Sequence, residues 1–225
     1  MKLKVCGMKY QENMEAVAGL QPDYLGFIFY EKSPRNFDQD IPELPKTIKK
    51  TGVFVDASID FILEKVKKHN FKAIQLHGNE SPEFCEALLL ELKKVLSPFD
   101  QTAVTVISSK VEIFKVFSIK DEFDFEILKP YEGIVDYFLF DTKGKEKGGN
   151  GYTFDWNVLK NYNSTTPFIL SGGIGLEEID KIKAILKTDL PIYGIDINSK
   201  FEIKPGLKNI NDLEKFKKLL SVDLK

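Results

Sequence analysis

The chain is short of the residues that build several common kinds of protein. It holds only two cysteines, Cys6 and Cys85, in 225 residues. That is too few for a disulfide framework, so a reducing compartment is expected. Its two histidines, His69 and His77, and its scattered acids form no metal-ligand spacing, so no metal is expected. It has no excess charge of either sign. The formal net charge is −2, which offers nucleic acid no basic field. No apolar run approaches membrane-spanning length, and no segment is low-complexity. A strand-like pattern starts at Leu3, which predicts no signal peptide and a cytoplasmic protein. What remains is ordinary for a globular chain: 43% hydrophobic and 29% charged residues, in a length that can bury one substantial core.

Short apolar runs alternate with helical stretches from end to end. The runs are Leu3–Cys6, Tyr24–Phe29, Thr51–Val55, Ala73–Leu76, Ile113–Phe117, Tyr137–Phe140, Phe168–Leu170 and Tyr193–Ile197. Most are continuously apolar, as strands covered on both faces of a parallel sheet are. Helices are predicted over 12–19, 58–69, 81–93, 155–161, 176–187 and 210–220. Ser58 and the Ser81-Pro82 pair carry start signals. Eight such units predict an α/β protein, a single (β/α)₈ barrel over residues 1–225. Two stretches fit less well. Residues 30–50, with Pro34, Pro42 and Pro45, predict a loop with a short, poorly formed helix. Ala103–Ile107 competes with Ile113–Phe117 for the fifth strand. We assign the fifth strand to the latter and a surface element to the former.

In such a barrel, chemistry gathers in the loops after the strands. Cys6-Gly7 closes the first run and Asp141 closes the sixth, so a potential base and a potential acid would face one pocket from opposite walls. Other strand ends carry Arg35, Asp56, Gln75-Leu76-His77-Gly78, Gly148-Gly149-Asn150-Gly151, Ser171-Gly172-Gly173 and Asp196-Ile197-Asn198-Ser199. The last two segments are the loops that often hold phosphate in this fold, through backbone N–H groups that glycine leaves accessible. His69, beside Lys67 and Lys68, reads as an exposed helix end. Cys85 reads as an inert thiol on a helix, and Trp156 as a helix anchor.

The sequence resembles the phosphoribosylanthranilate isomerase family. The matching pieces are Lys4-Val5-Cys6-Gly7, Gly26-Phe27-Ile28-Phe29-Tyr30 with Lys32-Ser33-Pro34-Arg35, Gly52-Val53-Phe54-Val55, Gln75-Leu76-His77-Gly78, Asp141-Thr142, Gly148-Gly149-Asn150-Gly151 with Phe154-Asp155-Trp156, Leu170-Ser171-Gly172-Gly173 and Pro205-Gly206. They run in the family's order from first strand to last. The resemblance implies a cofactor-free Amadori rearrangement in tryptophan synthesis. It implies Cys6 as general base, Asp141 as general acid, and Arg35 as the fork for the anthranilate carboxylate. Phosphate would fall to Gly172, Gly173, Asn198 and Ser199. Gln75, His77, Asp196 and Gly149 would line the rest of the pocket. The implied partner is a small phosphosugar-anthranilate substrate, with no nucleic acid and no membrane, in a monomer or homodimer. Asp141 would need to be protonated when substrate binds. Cys6 would need a cationic neighbour or a helix N-terminus to reach thiolate.

The chain departs from the family's pattern in two places. Lys200 stands where a glycine is usual, and residues 94–112 are extended. The sister isomerase of histidine synthesis is the nearest rival, but it resembles an aspartate pair where this chain begins with Cys6. A non-catalytic phosphate-binding barrel and a thiol hydrolase are more distant. The first would not need both Cys6 and Asp141, and the second has only His77 to pair with Cys6.

Overall fold

Eight parallel strands close into a barrel in chain order in the computed structural model, which describes residues 1–96, 110–120, 122–142 and 153–221. They are β1 (Lys2–Val5), β2 (Tyr24–Phe29), β3 (Lys49–Phe54), β4 (Ala73–Leu76), β5 (Glu112–Ile119), β6 (Tyr137–Thr142), β7 (Phe168–Leu170) and β8 (Ile192–Ile197). β1 pairs with β8 to close the ring, Lys4 opposite Asp196 and Val5 opposite Ile197. Each strand coincides with an apolar run of the sequence, because burial on both faces leaves no room for alternation. The segment Ile113–Phe117 is the fifth strand. Ala103–Ile107 lies outside the described residues.

The outer layer is less regular than the eight-unit rhythm predicts. Among the described residues five α-helices form: α1 (Gln11–Gly19), α2 (Ile59–His69), α3 (Pro82–Leu96), α4 (Ile179–Ile185) and α5 (Ile210–Ser221). Ser58 caps α2 by accepting from Phe61 N at 3.3 Å, and Ser81 caps α3 through Phe84 N at 3.3 Å. The expected helix at 155–161 is a 3₁₀ helix, Trp156–Asn161, started by the Asp155 side chain. The expected helix at 176–187 divides into a 3₁₀ turn, Leu176–Glu178, and the shorter α4. No helix forms between β2 and β3. Proline denies that stretch backbone donors at three positions, and it crosses the surface as turns. Two elements were not anticipated: the 3₁₀ helix Phe125–Tyr131, capped by Asp124, and the antiparallel hairpin β9 (Glu202–Lys204) and β10 (Leu207–Lys208). Gly206, at φ +85°, turns that hairpin.

Two apolar layers hold the barrel. The larger fills the space between sheet and helices, with Phe27, Phe54, Phe138, Phe140 and Phe168 almost fully buried. His69 belongs to it and is a correction to its reading as an exposed end. It is buried, and its ring packs 5.3–6.0 Å from Phe29, Phe37 and Phe71. Cys85 is likewise buried in this layer. The smaller layer plugs the N-terminal mouth of the barrel with Tyr24, Ala73, Phe114, Val116, Leu139 and Ile169. Side chains alternate along a strand. The next inward positions after Ala73 and Leu139 are therefore Gln75 and Asp141, and the barrel interior turns polar towards its C-terminal end.

A buried ion pair braces that end. Lys115 on β5 donates to Glu80 at 2.9 Å and to the Gly78 carbonyl at 2.9 Å, with both charged side chains at most 3% exposed. Glu80 in turn accepts from the backbone N–H groups of Asp56 and Gly78. One pair thus ties together the loops after β3 and β4. Lys115→Met should leave the Glu80 carboxylate buried without its cation and cost about 3–5 kcal/mol of stability. Chemical denaturation followed by circular dichroism measures it; a loss under about 1 kcal/mol would show that the pair is dispensable.

Candidate active site

One cavity opens among the C-terminal ends of the strands. Cys6, Arg35, Gln75, His77, Asp141, Gly172, Gly173, Asp196, Asn198 and Ser199 all line it, with Ile28, Val53, Val55 and Ile174 as its apolar wall. Most strand-end positions singled out in the sequence thus converge; Asp56 and Gly78 do not line the cavity, and Gly148-Gly149-Asn150-Gly151 lies outside the described residues.

Cys6 is held by its own backbone. Its N–H donates to the Ile197 carbonyl at 2.9 Å, extending the β1–β8 ladder by one residue. Gly7 follows at φ +74° and turns the chain away. The sulfur faces Gly26 of β2. A Cβ on Gly26 would stand 2.8 Å from Sγ and 3.3 Å from Lys4 Nζ, so glycine makes room for both. Burial pushes the Cys6 thiol up, and the nearby Lys4 and Lys208 oppose that rise.

Asp141 stands at the end of β6, buried to 5% exposure. Its Oδ1 accepts from Thr142 N at 2.8 Å. Its Oδ2 lies 3.4 Å from His77 Nε2. Gln75 Nε2 lies 3.3 Å from His77 Nδ1. If the amide donates there, the imidazole carries its proton on Nε2 and presents it to Asp141. Among the described residues, Gln75 Oε1 is buried without a partner. Such an atom in a cavity is an acceptor left for a ligand.

Beside Asp141, Gly172 and Gly173 take φ +85° and +66°. A Cβ on Gly172 would come within 2.3 Å of Thr142 Oγ1 and 2.7 Å of Asp141 Oδ1, so only glycine fits. Among the described residues, nothing accepts the backbone N–H groups of these two glycines. Asn198 and Ser199 face them from the loop after β8. Lys200 is exposed in the 3₁₀ turn Ser199–Phe201, with its Cβ beside Gly175. It does not have a positive φ, so the lysine in place of glycine carries no backbone strain.

Arg35 is engaged in a way the sequence did not suggest. Its Nε and Nη2 grip both carboxylate oxygens of Glu202 at 2.6–3.0 Å. Glu202 also accepts from Lys208 Nζ at 2.8 Å, and those two cations hold its carboxyl below the usual range against the opposing effect of burial. Lys208 Nζ reaches Asn198 Oδ1 at 2.7 Å. Among the described residues Nη1 has no hydrogen-bond partner, and Arg35 lines the cavity. The loop that carries Arg35 is laced to β2 by Phe37 N to the Ile28 carbonyl and Tyr30 N to Asn36 Oδ1.

Lys4, Glu202 and Lys208 therefore belong to the site, although none was singled out as a candidate. Lys4 could have been found by strand parity, since it lies two residues before Cys6 and shares its face. Glu202 and Lys208 gave no such signal, because they reach the site through the unanticipated hairpin. Cys85 and His69 lie away from the cavity.

A closed parallel barrel with a polar, C-terminal cavity defines a (β/α)₈-barrel enzyme. A sequence model described as N-(5'phosphoribosyl)anthranilate (PRA) isomerase matches residues 3–99 and 97–219. The N-(5'-phosphoribosyl)anthranilate isomerase of Parabacteroides distasonis is 42% identical over 222 residues, covering 96% of this chain and 91% of that protein. That of Phocaeicola vulgatus is 38% identical over 209 residues, covering 93% and 92%. The crystal structure of phosphoribosyl anthranilate isomerase from Thermotoga maritima superposes with a TM-score of 0.78 at 27% identity, covering 98% of each chain. The chain belongs to the N-(5'-phosphoribosyl)anthranilate isomerase family.

Proposed function

We propose that Cys6 and Asp141 carry the proton transfers with which this isomerase converts N-(5-phosphoribosyl)anthranilate into 1-(2-carboxyphenylamino)-1-deoxyribulose 5-phosphate, the third step of tryptophan synthesis from chorismate. The observation that supports this most is that both groups border a single cavity, from β1 and β6, which are not neighbours in the barrel. Protonated Asp141 gives its proton to the ribose ring oxygen. The C1–O bond breaks, and the anthranilate nitrogen lone pair closes a C1=N iminium. Cys6 thiolate takes the C2 proton, and the electron pair moves to C1=C2 as the iminium collapses to an enolamine. The Cys6 thiol returns a proton to C1 as the C2 hydroxyl loses its proton to the Asp141 carboxylate, which gives the ketone at C2 and restores both groups. C1 is reduced as C2 is oxidised, so no external redox partner enters.

The other lining residues fit a doubly anionic substrate. Nη1 of Arg35 suits the anthranilate carboxylate, with Glu202 fixing the plane of the fork. The unclaimed N–H groups of Gly172 and Gly173, with Asn198 and Ser199, suit the 5-phosphate. Gln75 Oε1 can accept from a ribose hydroxyl, and His77 orients the Asp141 carboxyl. The apolar residues Ile28, Val53 and Val55 suit the aromatic ring. Residues 1–225 act as one catalytic domain in the cytoplasm under this reading.

Incubating purified protein with phosphoribosylanthranilate and following loss of anthranilate-type fluorescence tests the activity; a flat trace from folded protein contradicts it. Arg35→Met tests the carboxylate fork. Losing a charge-assisted pair of about 1.5–3 kcal/mol should raise KM about 10- to 100-fold with kcat little changed. An unchanged KM would move the carboxylate elsewhere.

A further inference from the structure

Cys6 lies in a place that disfavours its charged form, and the proposed reaction needs that form. Lys4 shares the inward face of β1 with Cys6, two residues away, and is 1% exposed. Its ammonium donates to Asp196 Oδ1 at 2.8 Å across the β1–β8 seam. Asp196 Oδ2 accepts from Ser171 Oγ at 3.0 Å, which leaves the carboxylate anchored from both sides. The lysine head and the sulfur crowd the same vacancy on Gly26, 3.3 and 2.8 Å from the missing Cβ.

A buried lysine–aspartate pair contributes little to stability, because desolvation offsets most of the attraction. An apolar pair would fill the space at lower cost. The charges around Cys6 suggest what this one is for. The cations are Lys4 from β1, Lys208 from β10 and Arg35 from the loop after β2. The anions are Asp196 from β8 and Glu202 from β9, with Asp141 and His77 facing across the cavity. Of these cations, Lys4 is the one whose head shares the vacancy on Gly26 with Sγ.

We propose that Lys4 is a positioning residue for the Cys6 thiolate: its buried ammonium, fixed by Asp196, lies against the sulfur and compensates the anion, while Asp196 limits how far it does so. This rests on Cys6 being the base. Burial is the largest influence on the thiol and raises its pKa; Lys4 is the largest influence in the other direction, Asp196 adds to the rise, and Lys208 opposes it. Burial also works against the Lys4 charge, yet Asp196 and Cys6 outweigh it and hold Lys4 above the ordinary lysine range. Lys4 therefore stays cationic across neutral pH.

The test is the pH dependence of Cys6 alkylation by iodoacetamide, read by mass spectrometry of the Cys6 peptide so that Cys85 does not interfere. Lys4→Met should raise the midpoint by about one pH unit or more and slow alkylation at neutral pH about tenfold. Asp196→Asn should move the midpoint the opposite way and speed alkylation. Lys4→Arg should keep the midpoint near that of the unmodified protein. The alkaline rise of kcat/KM should shift in the same direction as the midpoint in each variant. General damage to the barrel would not produce shifts of opposite sign. An unchanged midpoint in Lys4→Met, or shifts of the same sign in Lys4→Met and Asp196→Asn, overturns the proposal. If Lys4→Met fails to fold, Asp196→Asn and the charge-balanced Lys4→Met/Asp196→Asn pair decide it: an unmoved Asp196→Asn midpoint, or a double-variant midpoint below that of Asp196→Asn, overturns it. A fully active Cys6→Ala variant would instead remove the base assignment and leave the alkylation result standing.

Discussion

Cys6→Ala is expected to lower kcat by about 10²- to 10⁴-fold, the usual worth of a positioned general base, with KM and the circular dichroism spectrum nearly unchanged. The side chain is small and buried at the cavity floor, and its backbone is tied to Ile197 by a 2.9 Å hydrogen bond. Alanine keeps that tie and removes only the sulfur. The neighbours cannot substitute for it. Lys4 and Lys208 are ion-paired cations, and Asp196 already accepts from Lys4 and Ser171. The pH dependence has a definite sign. Burial raises the thiol above its ordinary range, and the reactive form is the deprotonated one. The kcat/KM of the unaltered enzyme should therefore climb with pH through the titration of Cys6, and that limb should vanish in Cys6→Ala. Turnover within about tenfold of normal would mean that another group takes the C2 proton.

Asp141→Asn is expected to cost as much in kcat, about 10²- to 10⁴-fold, by a different route. Asparagine matches the shape and can still accept from Thr142 N, which Asp141 does at 2.8 Å. It has no acidic proton for the ribose ring oxygen, so ring opening slows. The two variants can be told apart with substrate deuterated at C2 of the ribose. Cys6→Ala should show a full primary isotope effect, because proton removal limits the rate. Asp141→Asn should show almost none, because the slow step comes earlier. Equal isotope effects in both would contradict the division of labour between acid and base.

The sequence made the barrel legible for a physical reason. Strands buried on both faces need continuous apolar runs, and runs such as Tyr24–Phe29 and Phe168–Leu170 have no other simple use. The strand-end rule then located Cys6, Asp141, Arg35 and the Ser171-Gly172-Gly173 loop without any knowledge of their contacts. What escaped was set by distant pairings. Lys4 meets Asp196 across 192 residues, and Arg35 meets Glu202 across 167. No local pattern encodes such partners. Glu202 and Lys208 depend on a hairpin whose strands span only three and two residues, too short to show a period. His69 was misread for a related reason. Flanking lysines suggested solvent, but the helix end turns inward onto Phe29 and Phe71. Within the 3₁₀ helix Phe125–Tyr131, Pro130 removes a backbone donor that a regular helix would use.

The claim on which the mechanism depends is that one bound ribose lies between Cys6 and Asp141. A crystal structure of this protein with a reduced, unreactive product analogue, 1-(2-carboxyphenylamino)-1-deoxyribitol 5-phosphate, measures it directly. The account predicts C2 within van der Waals reach of Cys6 Sγ, the Asp141 carboxyl on the opposite side of the chain at hydrogen-bond distance from a sugar oxygen, and the phosphate against Gly172 and Gly173. A ribose bound with both side chains on one side of it, or out of reach of the sulfur, would contradict it.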